Sequence, residues 1–133
     1  MALRWYSTVV DCRDVAAQAR WWAEAIGWKA VYESDDEVVL VPAHASEELI
    51  RSMAWEQVPP GLVFVPVHEG KVVKNRLHID LAPHTSDDRN AEIARLMAMG
   101  ATKVEVGQSA DASWDVLADP EGNEFCVLSS REM

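Results

Sequence analysis

The stretch RLHIDLA (76–82) carries the residues with the clearest chemical potential, Arg76, His78 and Asp80. Side chains alternate between the two faces of a β-strand, so these three share one face. A carboxylate two residues from a histidine on a strand can set the tautomer of the imidazole and raise its basicity. The pattern indicates general acid–base chemistry on a carbonyl compound. It also fits a solvated sheet face, or a hydrogen-bond network on the floor of a pocket.

The final strand-like segment adds Glu124 and Cys126, which share one face while the apolar residues beside them face the other way. Glu124 is a further catalytic candidate, as a partner of His78. A thiol becomes a nucleophile when a neighbouring base lowers its pKa, whereas neighbouring carboxylates raise it. We therefore expect Cys126 to line the surface around His78 as an unreactive thiol.

The elements that must position these residues follow a plan that begins in the first half of the chain. Residues 7–12 (STVVDC) predict a β-strand, and Asp14 is the expected N-cap of a helix. Apolar residues then recur with helical spacing up to Ile26. Gly27 stands where a helix-terminating glycine is expected, and residues 28–33 return to a strand pattern.

The second half repeats this plan. Residues 76–82 predict a strand, and Thr85 or Ser86 can cap a helix that begins near Asp87. The helix is expected to end at Gly100, and a strand follows in the segment 102–106.

Each half then continues with two more strand-like segments, 37–42 and 61–67 in the first half, and 113–118 and 124–129 in the second. An insertion at 43–60, with a short helix near 46–54, separates the last two strands of the first half. Both halves therefore read β-α-β-β-β, which indicates a duplicated supersecondary unit.

The predicted fold class is α+β, with two tandem β-α-β-β-β modules that form a curled mixed sheet around a concave pocket. We expect a single domain over 1–133, with module 1 at about 5–69 and module 2 at about 75–130. The segment 61–67 is apolar on both faces, which predicts that its sheet is covered on both sides, by a curled sheet, a second subunit or a ligand.

Composition excludes several classes of protein. Twelve basic residues against 22 acidic ones give a net charge of −10, without the clustered Lys and Arg that nucleic acids or anionic membranes require. There is no apolar run of transmembrane length and no signal-peptide pattern, so we expect a cytoplasmic protein. Cys12 and Cys126 lie far apart, and we expect both to be reduced.

The duplicated plan, the strand NRLHIDL (75–81) and the ending DPEGNEFCVL (119–128) resemble the vicinal oxygen chelate superfamily, and most closely its glyoxalase-like domain proteins. In metal-dependent members of that superfamily, four His or Glu ligands, one from each of four strands, hold a divalent ion. The resemblance places these positions at Ser7, Val65 (Phe64 if the register slips by one residue), His78 and Cys126. Only His78 matches the pattern, so we expect no metal cofactor. If a metal binds, we expect Zn, Ni or Fe at His78 with Cys126 or Glu124.

Six tryptophans, more than Phe and Tyr together, are the unusual feature of the composition. Trp21 and Trp22 are adjacent on the predicted helix, so we expect only Trp22 to face the core squarely. Trp5, Trp55 and Trp114 are candidates for an aromatic pocket wall, where flat ligands stack. They are equally compatible with a core or an interface.

We expect a metal-independent small-molecule-binding protein that binds or sequesters a hydrophobic or aromatic compound, as resistance, carrier or sensor proteins of the resembled superfamily do. The alternative is a lyase or isomerase acting on an oxygenated small molecule, and a third reading is a dimer without a ligand. The resemblance also implies a homodimer. The predicted ligand-binding residues are Trp5, Ser7, Trp55, Val65, Arg76, His78, Trp114 and Cys126, and the predicted catalytic residues are His78, Asp80 and Glu124.

Overall fold

The computed structural model describes residues 3–107 and 112–133, and the chain divides into two compact units, Met1–Gly70 and Lys71–Met133. Unit 1 contains β1 (Ser7–Cys12), α1 (Val15–Ile26), β2 (Trp28–Glu33), β3 (Val38–Pro42), α2 (Glu47–Ser52), a short 3-10 helix (Trp55–Gln57) and β4 (Gly61–Pro66). Unit 2 contains β5 (Ile79–Leu81), α3 (Arg89–Ala98), β6 (Thr102–Lys103), β7 (Asp115–Ala118) and β8 (Glu124–Val127).

The two units share one topology. The sheet of unit 1 has the strand order β1-β4-β3-β2, and the sheet of unit 2 has the order β5-β8-β7-β6. In each sheet the first strand of the module pairs parallel with the last, and the remaining pairs are antiparallel. The predicted α+β class with two β-α-β-β-β modules is therefore confirmed, each module forming its own four-stranded mixed sheet.

Helix α1 begins and ends where the sequence predicts. The side chain of Asp14 accepts a hydrogen bond from the backbone N–H of Ala17 at 3.0 Å, and Gly27 ends the helix with φ = 69°. This conformation lies in the left-handed region that glycine enters without steric cost.

The expectation that only Trp22 faces the core is wrong. Both Trp21 and Trp22 are buried, at 7% and 3% exposure, and their rings meet edge to face at a centroid distance of 5.1 Å. Such a pair adds aromatic stabilisation to the area that each ring buries. The buried side of α1 is therefore wider than the single stripe that the spacing predicts.

One face of the first sheet forms the core of unit 1. In the sheet register Phe64 lies opposite Val38, and Leu62 lies opposite Leu40. All four are buried, and Phe64 has no exposed surface. Helix α1 packs on β3 and β4.

The other face of this sheet, which the sequence predicts to be covered by a curled sheet, a second subunit or a ligand, is also apolar. Val9 pairs with Val63, and Tyr32 with Val39, on the face opposite Phe64. Val9 is 55% exposed and Tyr32 is 54% exposed, whereas Val39 and Val63 are half-buried. The sheet therefore presents an apolar face that is partly open to solvent; we call Val9, Tyr32, Val39 and Val63 the open face of unit 1.

Strand β5 is shorter than predicted. The segment 76–82 was expected to be a strand, but only Ile79–Leu81 pairs with β8, and Leu77 is 87% exposed. The physical reason lies in its partner strand: β8 begins at Glu124, and residues 119–123 before it form a turn, so residues 75–77 have no strand to pair with. Just upstream of β5, the backbone N–H of Asn75 donates to the carboxylate of Glu124.

Two further boundaries differ from the prediction. Helix α3 is capped by Asp88, whose side chain accepts from the backbone N–H of Ala91, and not by Thr85 or Ser86. Ser86 belongs to a turn in which its backbone N–H donates to His84 Nδ1. The segment 102–106 contributes only the two residues of β6 to the sheet.

We predict that Phe64→Ala lowers the free energy of unfolding by about 3–5 kcal/mol, because it removes a fully buried ring and leaves a cavity. Val9→Ala, on the neighbouring strand but largely exposed, is the matched control and should cost less than about 1 kcal/mol. Urea unfolding followed by tryptophan fluorescence measures both values. Equal losses in the two variants would contradict the assigned sheet faces.

Candidate functional site

The second module brings three chemically active side chains together: His78, Asp80 and Cys126. Asp80 on β5 is the register partner of Cys126 on β8, so the parallel pairing places their side chains next to each other. His78 immediately precedes β5, and its Nε2 lies 3.3 Å from Asp80 Oδ1. Ligand-type atoms of all three residues lie within 4.8 Å of one another. We call these residues the HDC cluster.

The HDC cluster combines an exposed rim with a buried thiol. The side chains of His78 and Asp80 are 41% and 49% exposed, whereas Cys126 is 8% exposed. A small solute or ion therefore has access to the imidazole and the carboxylate, and the sulfur lies beneath them.

The surroundings of Cys126 keep its thiol protonated. Burial raises the pKa of Cys126, and the adjacent carboxylate of Asp80 raises it further by its charge and by a hydrogen bond, while the ammonium group of Lys74 acts in the opposite direction. A protonated thiol is a poor nucleophile. This direction agrees with the expectation of an unreactive Cys126.

Glu124 makes a different set of contacts. Its Oε1 accepts a hydrogen bond from Lys71 Nζ at 2.8 Å in a largely buried ion pair, and its Oε2 accepts from the backbone N–H of Asn75 at 3.2 Å. Burial by itself would raise the pKa of Glu124, but the hydrogen bonds from Lys71 and the backbone, together with the lysine charge, lower it. Glu124 is thus an ionised partner of Lys71, outside the HDC cluster.

The remaining predicted residues of unit 2 lie on its surface. Arg76 is exposed in the segment that leads to β5, and Trp114 is 39% exposed just before β7. Neither belongs to the HDC cluster.

The predicted residues of unit 1 lie on and around its first sheet. Ser7 and Val65 are half-buried on β1 and β4, on the same face as Val9. Trp5 precedes β1 and is 69% exposed, and its indole N–H donates to the carbonyl of Ser7 at 3.2 Å. Trp55 is 53% exposed in the 3-10 helix of the insertion.

The structure adds an arginine clamp that sequence reasoning missed. The guanidinium carbon of Arg4 lies 4.1 Å from the ring centroid of Trp55 and 4.5 Å from that of Tyr6. Such cation–π contacts stabilise exposed aromatic rings by about 0.5–1 kcal/mol each. Arg4 and Tyr6 are two residues apart in the sequence, which is a visible signal. Their partner Trp55 is far along the chain, and no local pattern identifies it.

The comparisons with known proteins agree with this architecture. Two β-α-β-β-β modules, each with a parallel pair of first and last strands, define the class of vicinal oxygen chelate proteins. Residues 7–128 match the family model described as "Glyoxalase-like domain", and the chain belongs to that family. No curated protein matches the chain by sequence.

Solved structures resemble the chain in fold at low identity. A glyoxalase/bleomycin resistance protein/dioxygenase family enzyme from Burkholderia phytofirmans superposes with a TM-score of 0.69 and 15% identity, over 97% of this chain and 100% of that one. A mutant of the fosfomycin resistance protein FosX from Listeria monocytogenes, in complex with Mn(II) and 1S,2S-dihydroxypropylphosphonic acid, has a TM-score of 0.66 and 9% identity, over 98% and 92% of the two chains. A glyoxalase-related enzyme from Fulvimarina pelagi has a TM-score of 0.63 and 15% identity, over 94% and 86%.

The side chains present do not fit the four-ligand metal site that the superfamily implies. Among the four corresponding positions, Val65 has no donor atom, and the Ser7 hydroxyl is a weak ligand for Zn, Ni or Fe. His78 and Cys126 are the only two of the four with good donors, and a catalytic divalent site ordinarily has three protein ligands.

The described residues include no helix that is long and apolar enough to cross a membrane. Cys12 and Cys126 are both buried and outside any disulfide, as expected for reduced thiols.

We predict that Glu124→Gln lowers the free energy of unfolding by about 2–3 kcal/mol at neutral pH, because Lys71 then loses its charged partner in a largely buried place. Since folding lowers the pKa of Glu124, the stabilisation is complete above its ordinary value of 4.5 and is lost as the pH falls through the lower folded value. Denaturant unfolding of both proteins across this range measures the difference.

Glu47→Gln is the matched control, since Glu47 pairs with Arg51 on the surface at 78% and 76% side-chain exposure. It should change stability by less than about 1 kcal/mol. If Glu124→Gln lowers the free energy of unfolding by as little as Glu47→Gln does, or if its loss grows at acid pH, the Lys71–Glu124 pair does not stabilise the fold as we propose.

Proposed function

We propose that this protein binds a hydrophobic or aromatic small molecule through the open face of unit 1, without the four-ligand metal site of the superfamily. The observation that carries the proposal is the exposure of apolar side chains on a sheet face of a folded module. Val9 and Tyr32 leave more than half of their surface in water, although their neighbours across the sheet are apolar. Burying such a side chain contributes about 1.5–3 kcal/mol, which is the driving force for a ligand.

The aromatic side chains of unit 1 support the choice of ligand class. Tyr6 and Trp55 are 64% and 53% exposed, and their ring centroids lie 6.4 Å apart. The guanidinium of Arg4 holds both rings in place by contacts on their faces. A surface of ordered, exposed rings favours flat or aromatic compounds, because stacking on such rings requires little further ordering.

In this proposal the ligand binds without a metal ion, because the four-ligand site of the superfamily is incomplete in this chain. Position 65 is valine, so the first module offers no strong ligand at this position, and affinity must come from apolar contact. The proposal includes a homodimer, as the resemblance implies, and a cytoplasmic location, in keeping with two cysteines that form no disulfide.

We predict that Val9→Ser and Tyr32→Ala each weaken ligand binding by about tenfold or more, because each removes apolar surface worth at least about 1.4 kcal/mol. The measurement is quenching of tryptophan fluorescence across a panel of aromatic metabolites and antibiotics, in EDTA. Val73→Ser is the matched control, since Val73 is 78% exposed in unit 2, and it should leave the affinity unchanged. No quenching by any compound, or equal affinity in all three variants, would refute the proposal.

The contact between His78 and Asp80 favours a second candidate, a lyase or isomerase acting on an oxygenated small molecule. The carboxylate lies 3.3 Å from Nε2 and can hold the imidazole as a base for a proton next to a carbonyl.

We predict for this candidate that the protein catalyses exchange of the proton next to the carbonyl of 2-hydroxy carbonyl compounds in D₂O, followed by NMR. The exchange should fall by about 100-fold or more in His78→Ala. His84→Ala, at another exposed histidine, is the control. The absence of exchange above buffer, or its persistence in His78→Ala, eliminates this candidate and leaves the binding function untouched.

A further inference from the structure

We propose that the HDC cluster is a Zn²⁺ site built entirely within the second module, in which Asp80 takes the place of the ligands missing from the first module. The site uses His78, Asp80 and Cys126, and it requires neither Ser7 nor Val65. It is independent of the ligand that we propose for the open face of unit 1.

The separation of the donor atoms carries the proposal. Tetrahedral zinc with bonds of about 2.0–2.1 Å to nitrogen and oxygen places neighbouring ligand atoms about 3.3 Å apart. The distance between His78 Nε2 and Asp80 Oδ1 is 3.3 Å. With a Zn–S bond of about 2.3 Å, the sulfur should lie about 3.5 Å from each of the other two atoms. Since all three lie within 4.8 Å of one another, a side-chain adjustment of about 1 Å completes the geometry.

The backbone holds two of the three ligands and leaves the third free to adjust. Asp80 and Cys126 are register partners on adjacent parallel strands, so their Cβ positions are fixed by the sheet. His78 lies one residue before β5, outside the ladder. The imidazole can therefore move to the ion without breaking a strand hydrogen bond.

The order of the contacts favours a cation over a nucleophilic triad. In a triad the histidine stands between the thiol and the carboxylate, so that it can take the thiol proton. Here the carboxylate of Asp80 contacts both His78 and the Cys126 thiol. The carboxylate thus lies beside both the nitrogen and the sulfur donor, so that one divalent ion can contact all three groups. On binding, the ion takes the sulfur as thiolate, and the thiol proton passes to solvent.

The charged side chains near the HDC cluster do not block the binding of zinc. Lys74 is the cation that acts on the thiol, and its exposed side chain can turn away into solvent. Glu124 does not complete the site, because Lys71 and Asn75 occupy its two oxygens. Imidazole and thiolate select Zn²⁺ over Mg²⁺ or Ca²⁺, and the three protein ligands leave a fourth position for water or a ligand oxygen.

The experiment titrates the full chain, stripped with EDTA and desalted under reducing conditions, first with Co²⁺ and then with Zn²⁺, with no organic ligand present. We expect a thiolate-to-cobalt charge-transfer band and the visible bands of a tetrahedral ion, both displaced by one equivalent of Zn²⁺. Cys126→Ser, His78→Ala and Asp80→Asn should each weaken Zn²⁺ binding by more than about 100-fold, since even the loss of an indirect contact to a metal ligand costs 10–100-fold.

Two variants serve as controls. Cys12→Ala removes the other thiol, which is buried in unit 1, and His84→Ala removes an exposed histidine of unit 2. Both should bind as the unaltered chain does. Because His78 and Asp80 are exposed, their variants should fold, and circular dichroism verifies it.

Several results would overturn the site. These are the absence of a charge-transfer band in the unaltered chain, its persistence in Cys126→Ser, its loss in Cys12→Ala, and unchanged affinity in folded Asp80→Asn. Ligand binding in EDTA, measured separately by tryptophan fluorescence, tests the function proposed for the open face, so the two proposals fail by different measurements.

Discussion

The parallel pairing of the first strand of each module with its last is the contact on which this structure depends. It joins β1 to β4 and β5 to β8, and in each module every other element lies between the two paired strands in sequence. Parallel pairing requires a long connection, and each module supplies one that contains a helix. Because the pairing fixes register, it also decides which side chains meet, such as Asp80 and Cys126.

The same topology carries different chemistry in the two modules. In unit 1 the face opposite the core carries valines and a tyrosine, with Ser7 and Asp11 at the two ends of β1, whereas in unit 2 the strand pair β5–β8 presents a carboxylate and a thiol. One backbone plan therefore supports a mainly apolar surface in one copy and a polar cluster in the other. This division agrees with the rule that a fold positions residues and that the residues determine the function.

The sequence predicted much of the fold because its signals were local. Asp14, Gly27 and the helical spacing between them located α1, and the repeat of this pattern indicated the duplication. The length of β5 could not be predicted, since it depends on where its partner strand β8, distant in sequence, begins. For the site, the alternation of side chains along a strand grouped His78 with Asp80. The ion pair of Glu124 with Lys71 and the contact of Arg4 with Trp55 could not be predicted, because each joins residues that are distant in the sequence.

The carboxylate of Glu124 ties the segment before β5 to the start of β8. It accepts from Lys71 and from the backbone N–H of Asn75, and so anchors the stretch of chain that leads to His78. A residue at 124 with no acceptor would remove both anchors and leave the register of β5 and β8 in place. The position of the imidazole can thus be tuned by sequence drift at a residue outside the HDC cluster.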